Sequence, residues 1–99
     1  MLVRLLGNLE IVAEGRSLSL GGPRQQTVLA MLALSVNSMT SVDLLIEAVW
    51  GDQPPPTARG QIQVCISTLR KVFAGAGHPE AIRTCGPGYL LELTPDEVD

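Results

Sequence analysis

The chain has 99 residues, of which 45% are hydrophobic, and it carries a formal net charge of -3. This length suits one small domain with an aliphatic core, since Trp50, Phe73 and Tyr89 are its only aromatic residues. No apolar run approaches the roughly 20 residues that cross a bilayer, and the start lacks a signal-peptide pattern, so we expect a cytoplasmic protein without a membrane partner.

Three short apolar runs open the chain at residues 2–6, 9–12 and 17–20, and Gly7-Asn8 and Glu14-Gly15 separate them. Short runs punctuated by turn residues predict a small antiparallel β-meander.

A first helix is predicted from Pro23, because proline suits the first helical position, where its missing N–H is not needed. The helical period places its buried stripe at Val28, Leu29 and Leu32, widened by Met31 and Leu34.

A second helix is predicted from Thr40, which can cap free N–H groups while Asp43 completes an acidic capping box. Gly51 is a natural left-handed stop for this helix. Its apolar stripe consists of Val42, Leu45, Ile46, Val49 and Trp50. A stiff, proline-rich connector follows and consists of Asp52, Gln53, Pro54, Pro55 and Pro56.

A third helix is predicted after Thr57, a candidate N-cap, and its two faces differ in composition. One arc faces the core and consists of Ile62, Cys65, Ile66, Leu69, Val72 and Phe73. The opposite arc consists of Gly60, Gln63, Val64, Ser67, Thr68 and Lys71, flanked by Arg59, Gln61 and Arg70. A polar face of this kind is often merely solvated, but this one lacks Asp and Glu and places Val64 at its centre, where it could contact thymine methyl groups.

Two strands, at residues 82–85 and 89–93, are predicted to form a hairpin joined by Gly86-Pro87-Gly88. Positive charge concentrates in this half of the chain, because residues 54–90 hold four cations against Glu80 alone. A helix followed by a hairpin, both in a basic segment, favours a DNA-binding winged helix.

Few residues suggest other chemistry. Cys65 lies on the buried arc, and Cys85 on the hairpin could be a redox sensor, although the absence of a nearby second thiol favours an incidental cysteine. His78 is the only histidine, and we expect it to be solvated. We therefore expect no metal, no cofactor and no enzymatic activity.

Six segments together resemble one known family. They are Val3-Arg4-Leu5-Leu6-Gly7, Gly22-Pro23-Arg24-Gln25-Gln26, Val49-Trp50-Gly51-Asp52, Pro54-Pro55-Pro56-Thr57-Ala58, Ser67-Thr68-Leu69-Arg70-Lys71 and Gly86-Pro87-Gly88-Tyr89. Residues 1–93 resemble the OmpR-type winged-helix DNA-binding domain, and more narrowly that of the AfsR-like Streptomyces antibiotic regulatory proteins.

The resemblance implies an α+β fold with an N-terminal antiparallel sheet, a three-helix core containing a helix-turn-helix, and a C-terminal hairpin wing. It implies an activator of secondary-metabolite biosynthesis that binds direct repeats in double-stranded DNA as a head-to-tail pair and contacts RNA polymerase and its sigma factor. Residues 94–99 form an acidic tail that we do not expect to fold. The resemblance makes this tail a linker toward a helical activation domain. A winged helix that serves only as a protein-interaction module is the alternative.

The resemblance also assigns residues to contacts. Base-reading positions would be Gln63, Val64, Ser67 and Thr68, and phosphate contacts would come from Arg59, Arg70 and Lys71. The wing would present Arg83, Thr84 and Cys85, where Cys85 stands at a position that is commonly arginine and Arg83 could substitute for it. The polymerase-facing loop would be the connector, residues 52–56.

Overall fold

The N-terminal sheet is the first unit of the computed structural model, which describes residues 1–4 and 9–98. Its strands are β1 (Leu2–Arg4), β2 (Glu10–Ala13) and β3 (Arg16–Leu18), antiparallel in that order. The predicted meander is confirmed, although its Gly7-Asn8 turn lies outside the described residues. Glu14 and Gly15 take positive φ values of 53° and 74° in the turn between β2 and β3.

Helix α1 (Pro23–Leu34) begins at the predicted proline, and Val28, Leu29 and Leu32 are buried as expected. Leu34 is 75% exposed, so its predicted place in the buried stripe is wrong. Two residues advance roughly 200° around an α-helix, and Leu34 therefore lies far from the arc that Leu32 occupies.

A two-residue strand that the sequence analysis missed, β4 (Thr40–Ser41), precedes α2 (Val42–Trp50). It pairs with the C-terminal hairpin, which buries Thr40 and makes the predicted Thr40 cap wrong. The N-cap is Ser41, whose Oγ accepts a hydrogen bond from the Leu44 N–H at 3.1 Å. Leu45 is fully buried, whereas the rest of the stripe packs partly exposed against the core.

Helix α3 (Ala58–Gly75) runs for 18 residues from Thr57. Thr57 stands at the N-cap position, but its hydroxyl accepts from the Gln61 side chain at 2.9 Å and does not cap a backbone N–H. The predicted inner arc is buried except for Val72, which is half-buried.

The C-terminal hairpin consists of β5 (Ile82–Cys85) and β6 (Gly88–Leu91), and β4 extends it to a three-stranded sheet in the order β4-β6-β5. The second strand thus begins at Gly88, one residue earlier than predicted. A Cβ on Gly88 would overlap the Thr40 carbonyl oxygen, so glycine lets β4 approach at this point.

The acidic C-terminal segment is folded, contrary to the expectation that nothing would order it. A 3₁₀ turn (Pro95–Glu97) is closed by a capping box, in which Thr94 and Glu97 bond each other's side chains and backbone. Val98 then pairs with Val3 of β1 through an isolated bridge. The proposed role of this segment as a linker stays a prediction.

The two sheets and three helices share one core, whose largest buried side chain is Phe73 of α3. Within the described residues, no helix is both long and apolar enough to span a bilayer.

Candidate nucleic-acid interface

The outward face of α3 is open to solvent. Val64 is 62% exposed, and Gln63, Ser67 and Lys71 are also exposed, while Thr68 is half-buried. On the opposite side Ile62 and Leu69 are completely buried. The core therefore orients α3 with the predicted base-reading residues outward, and no Asp or Glu occurs anywhere in this helix.

The outward face has two edges, which follow from an advance of roughly 100° per residue along an α-helix. We define the wing-side edge as Arg59, Gln63 and Arg70, because Arg70 contacts the hairpin. We define the α1-side edge as Gln61, Thr68 and Val72, because Gln61 contacts α1.

Arg70 attaches the hairpin to α3. Its Nε donates to the Ile82 carbonyl oxygen at 3.2 Å, and its Nη2 donates to the Thr84 hydroxyl at 3.1 Å. Its guanidinium also lies 5.7 Å from the centroid of the Tyr89 ring, within cation–π range. Arg70 was predicted to contact phosphate, and the structure shows it setting the position of the hairpin beside the helix.

Two other cations of the predicted site face carboxylates. Arg59 Nη2 lies 2.5 Å from Asp43 Oδ1, with both side chains more than two-thirds exposed. Arg83 Nε lies 3.2 Å from Glu92 Oε2. Exposed ion pairs of this kind contribute only about 0–1 kcal/mol to stability, so a phosphate can compete for either arginine.

Gly86 and Pro87 form the exposed tip of the hairpin. Cys85 before them is half-buried and has a free thiol, and Gly88 after them is buried. Thr84 is exposed at the base of the turn. Gly86 has a φ of 55° there, in the left-handed region that favours glycine.

Arg24 of α1 also reaches α3, although the sequence analysis assigned it no contact. Its Nη1 donates to Gln61 Oε1, and its guanidinium lies 5.4 Å from the centroid of the Trp50 ring. Burial raises the pKa of the Cys65 thiol on α3, and the positive charge of Arg24 partly opposes this. The sequence motif around Arg24 does not include Trp50 and Gln61, which lie 26 and 37 residues further along the chain. The sequence therefore could not reveal this contact.

The connector lies at the start of α3. Asp52, Gln53, Pro54 and Pro56 are exposed, and Pro55 is half-buried. The Pro55 carbonyl accepts from the Ala58 N–H at 3.0 Å, which joins the connector to the first turn of the helix.

His78, predicted to be solvated, is half-buried and lies 3.3 Å from Glu97 through Nε2. It takes part in holding the C-terminal segment and lies on a loop after α3. Residues 1–4 and 9–98 contain no group of three or more side chains suited to hold a metal ion.

Comparison with known proteins identifies the family. Residues 15–91 match the family described as "Transcriptional regulatory protein, C terminal". The chain is 39% identical over 97 residues to the transcriptional regulatory protein EmbR of Mycobacterium tuberculosis, covering 96% of this chain and 25% of EmbR. It is 32% identical over 106 residues to the regulatory protein DnrI of Streptomyces peucetius, covering all of this chain and 39% of DnrI.

A solved structure agrees with these relatives. The structure titled "Mycobacterium tuberculosis EmbR in complex with low affinity phosphopeptide" superimposes with a TM-score of 0.93 at 37% identity, over 98% of this chain and 26% of EmbR. The chain thus spans well under half the length of these relatives. The chain belongs to the "Transcriptional regulatory protein, C terminal" family. It has an OmpR-type winged-helix fold, like its relatives among the Streptomyces and mycobacterial regulators.

Proposed function

We propose that this domain binds double-stranded DNA sequence-specifically and is the DNA-reading part of a transcriptional activator of secondary-metabolite biosynthesis. The observation that carries the proposal is the outward face of α3, which is exposed, free of carboxylates and flanked by a hairpin that Arg70 holds in place. An α-helix about 10–12 Å in diameter fits the major groove of B-DNA, which is about 12 Å wide.

Base reading falls to the outward side chains of α3, namely Gln63, Val64, Ser67 and Thr68. A glutamine amide can bond the adenine edge in two places, hydroxyl groups can bond several bases, and valine can contact a thymine methyl group. Thr68 is half-buried on the α1-side edge and therefore has less reach than Gln63 or Ser67.

Phosphate binding falls to Arg59, Arg70 and Lys71, with the wing residues Arg83, Thr84 and Cys85 facing the adjacent minor groove. Lys71 has no carboxylate partner among the described residues, and Arg59 would exchange Asp43 for a phosphate. Arg70 would bind phosphate with donors that its bonds to the hairpin leave unused, since a guanidinium has five N–H groups.

Two finer features of the proposal rest on the resemblance to the AfsR-like Streptomyces antibiotic regulatory proteins. The domain would bind direct repeats as a head-to-tail pair, and the connector, residues 52–56, would contact RNA polymerase with its sigma factor. The exposure of four of the five connector residues supports this use of the connector.

Measuring the affinity for DNA at a series of salt concentrations tests the proposal. A duplex selected from a random pool should bind with log affinity falling against log salt at a slope of about -3 to -5 per protomer, from about four to five phosphate contacts. The same duplex with its sequence scrambled should bind much more weakly.

One observation favours a protein-interaction module instead. Asp43 and Glu92 pair with two of the arginines beside the outward face of α3 and so reduce its positive charge. A salt-independent affinity, or equal affinity for selected and scrambled duplexes, would support that alternative and reject sequence-specific reading.

Single substitutions separate base readers from phosphate contacts. Gln63→Ala or Ser67→Ala should cost about 1–3 kcal/mol on the selected duplex and little on scrambled DNA, whereas Lys71→Ala should weaken both about equally. Equal losses on both duplexes from all three variants would contradict the assignment of base readers.

A further inference from the structure

The cations of α3 itself leave one side of the helix without positive charge. Arg59 and Arg70 both lie on the wing-side edge, and Lys71 lies near the middle of the outward face. The α1-side edge consists of Gln61, Thr68 and Val72, all uncharged. A helix inserted in the major groove has a phosphate backbone along each edge, so a cation on the α1 side would face the second backbone.

Arg24 supplies positive charge on that side. It is exposed, and its guanidinium bonds Gln61, the first residue of the α1-side edge. None of the described carboxylates pairs with Arg24, which distinguishes it from Arg59 and Arg83. Its charge is therefore available to a phosphate.

The contacts of Arg24 also restrict its motion. The Trp50 ring lies under the guanidinium and Gln61 accepts from Nη1, so the side chain is positioned by α2 and α3 together. A long side chain held in this way loses less conformational entropy when it binds a ligand. The hydrogen bond to Gln61 uses one N–H group and the Trp50 ring contacts only the face of the guanidinium, so its other N–H groups can donate to phosphate oxygens.

We propose that Arg24 is a phosphate-contacting residue of the DNA interface, and that it binds the DNA strand opposite the one contacted from the wing side. The Trp50 ring and the Gln61 amide are its positioning groups. This inference rests on the proposed DNA binding and adds a residue from α1 to it.

The test uses a 30-base-pair duplex of random sequence, because a phosphate contact does not depend on the target sequence. Arg24→Ala should weaken binding severalfold and make the salt slope shallower by about 0.9, the value for one lost phosphate contact. Arg24→Lys retains the charge and should keep most of the slope while losing the planar, stacked geometry.

Arg16→Ala is the matched control, since it removes the same charge from an exposed arginine of β3 that lies near the far end of α3, beside residues 74–77. It should leave both affinity and salt slope nearly unchanged. Thermal unfolding of each variant shows that binding is measured on folded protein.

The outcomes separate the inference from the proposed function. An Arg24→Ala protein with weaker binding but an unchanged salt slope would make Arg24 a structural residue and overturn the inference. The inference also fails if Arg16→Ala changes the slope as much as Arg24→Ala does. Wild-type protein that binds no duplex in a salt-dependent way would instead reject the proposed function itself.

Discussion

Of the four arginines in the proposed interface, two face carboxylates and two face neutral groups. Arg59 and Arg83 pair with Asp43 and Glu92, whereas Arg24 and Arg70 are held by amide, hydroxyl, carbonyl and aromatic groups. Arginines held by neutral groups keep their full charge for a ligand. At the residue scale, the neighbours of each cation therefore decide how strongly it can attract a phosphate.

Asp43→Asn should tighten DNA binding severalfold and steepen its salt dependence. The substitution frees Arg59 from its ion pair. It also removes a negative charge from the first turn of α2, beside this proposed phosphate contact. The cost in stability should stay below about 1 kcal/mol, because the pair is exposed. Fluorescence anisotropy with the random-sequence duplex measures the effect.

Glu14→Gln makes the same charge change in the turn between β2 and β3, beside the C-terminal end of α3 and not its first turn, and serves as the control. If both variants tighten binding alike, net charge alone is responsible and Asp43 has no special place in the interface.

At the element scale, two glycines have opposite surroundings. Gly60 lies in the first turn of α3 with open space where a Cβ would stand, while the corresponding position at Gly88 is filled by the backbone of β4. Gly60 is therefore dispensable for the fold, and Gly88 is required by the approach of β4 to β6.

Gly88→Ala should destabilise the domain by about 1–3 kcal/mol or more, because β4 must move away from β6 to admit a methyl group. Gly60→Ala should instead stabilise it by up to about 1 kcal/mol, the helix-propensity difference between the two residues. Urea unfolding of both variants checks this. A fully tolerated Gly88→Ala would contradict the close pairing of Thr40 with Tyr89.

Gly60→Ala has a second expected effect, on DNA binding. Gly60 lies on the outward face, where a methyl group would keep the helix backbone away from DNA. We expect weaker binding from a protein that is more stable. Gly75→Ala, also in open space but at the opposite end of α3, should leave binding unchanged. Unchanged binding by Gly60→Ala would show that DNA does not approach the first turn.

At the scale of the whole molecule, the two ends of the described chain are joined. Val98 pairs with Val3, and Glu97 bonds Thr94 and lies beside His78. The pKa of Glu97 is lowered, chiefly because its carboxylate accepts from the Thr94 backbone N–H. The charged form of Glu97 thus stabilises the docked segment.

Acid should therefore release this segment. A carboxyl with a lowered pKa in the folded state stabilises it at pH values above its unfolded pKa of about 4.3, and this stabilisation is lost as the pH falls through the folded value. Glu97→Gln should remove part of the pH dependence of unfolding, as measured by urea titration between pH 3 and pH 7. Glu10, whose pKa is also lowered, mainly by the Ser17 hydroxyl, should keep its own contribution in this variant. Identical pH profiles for the two proteins would show that Glu97 contributes nothing.

The amino-acid sequence by itself determined the three helices, the meander, the hairpin and the outward orientation of α3. These depend on the spacing of apolar residues and on turn residues close in the chain, which are local properties. Val64 and Ile62 illustrate this, because two positions of one helical period were enough to place one outside and the other in the core.

Only the tertiary structure decided the pairing of β4, the fold of residues 94–98 and the partners of the arginines. Thr40 became a strand residue because β6 lies beside it, and Arg24 reached Gln61 across a separation of 37 residues. Such contacts depend on which distant surfaces meet when the core packs. A local pattern carries no information about that meeting, so the charge on the proposed interface was decided by packing.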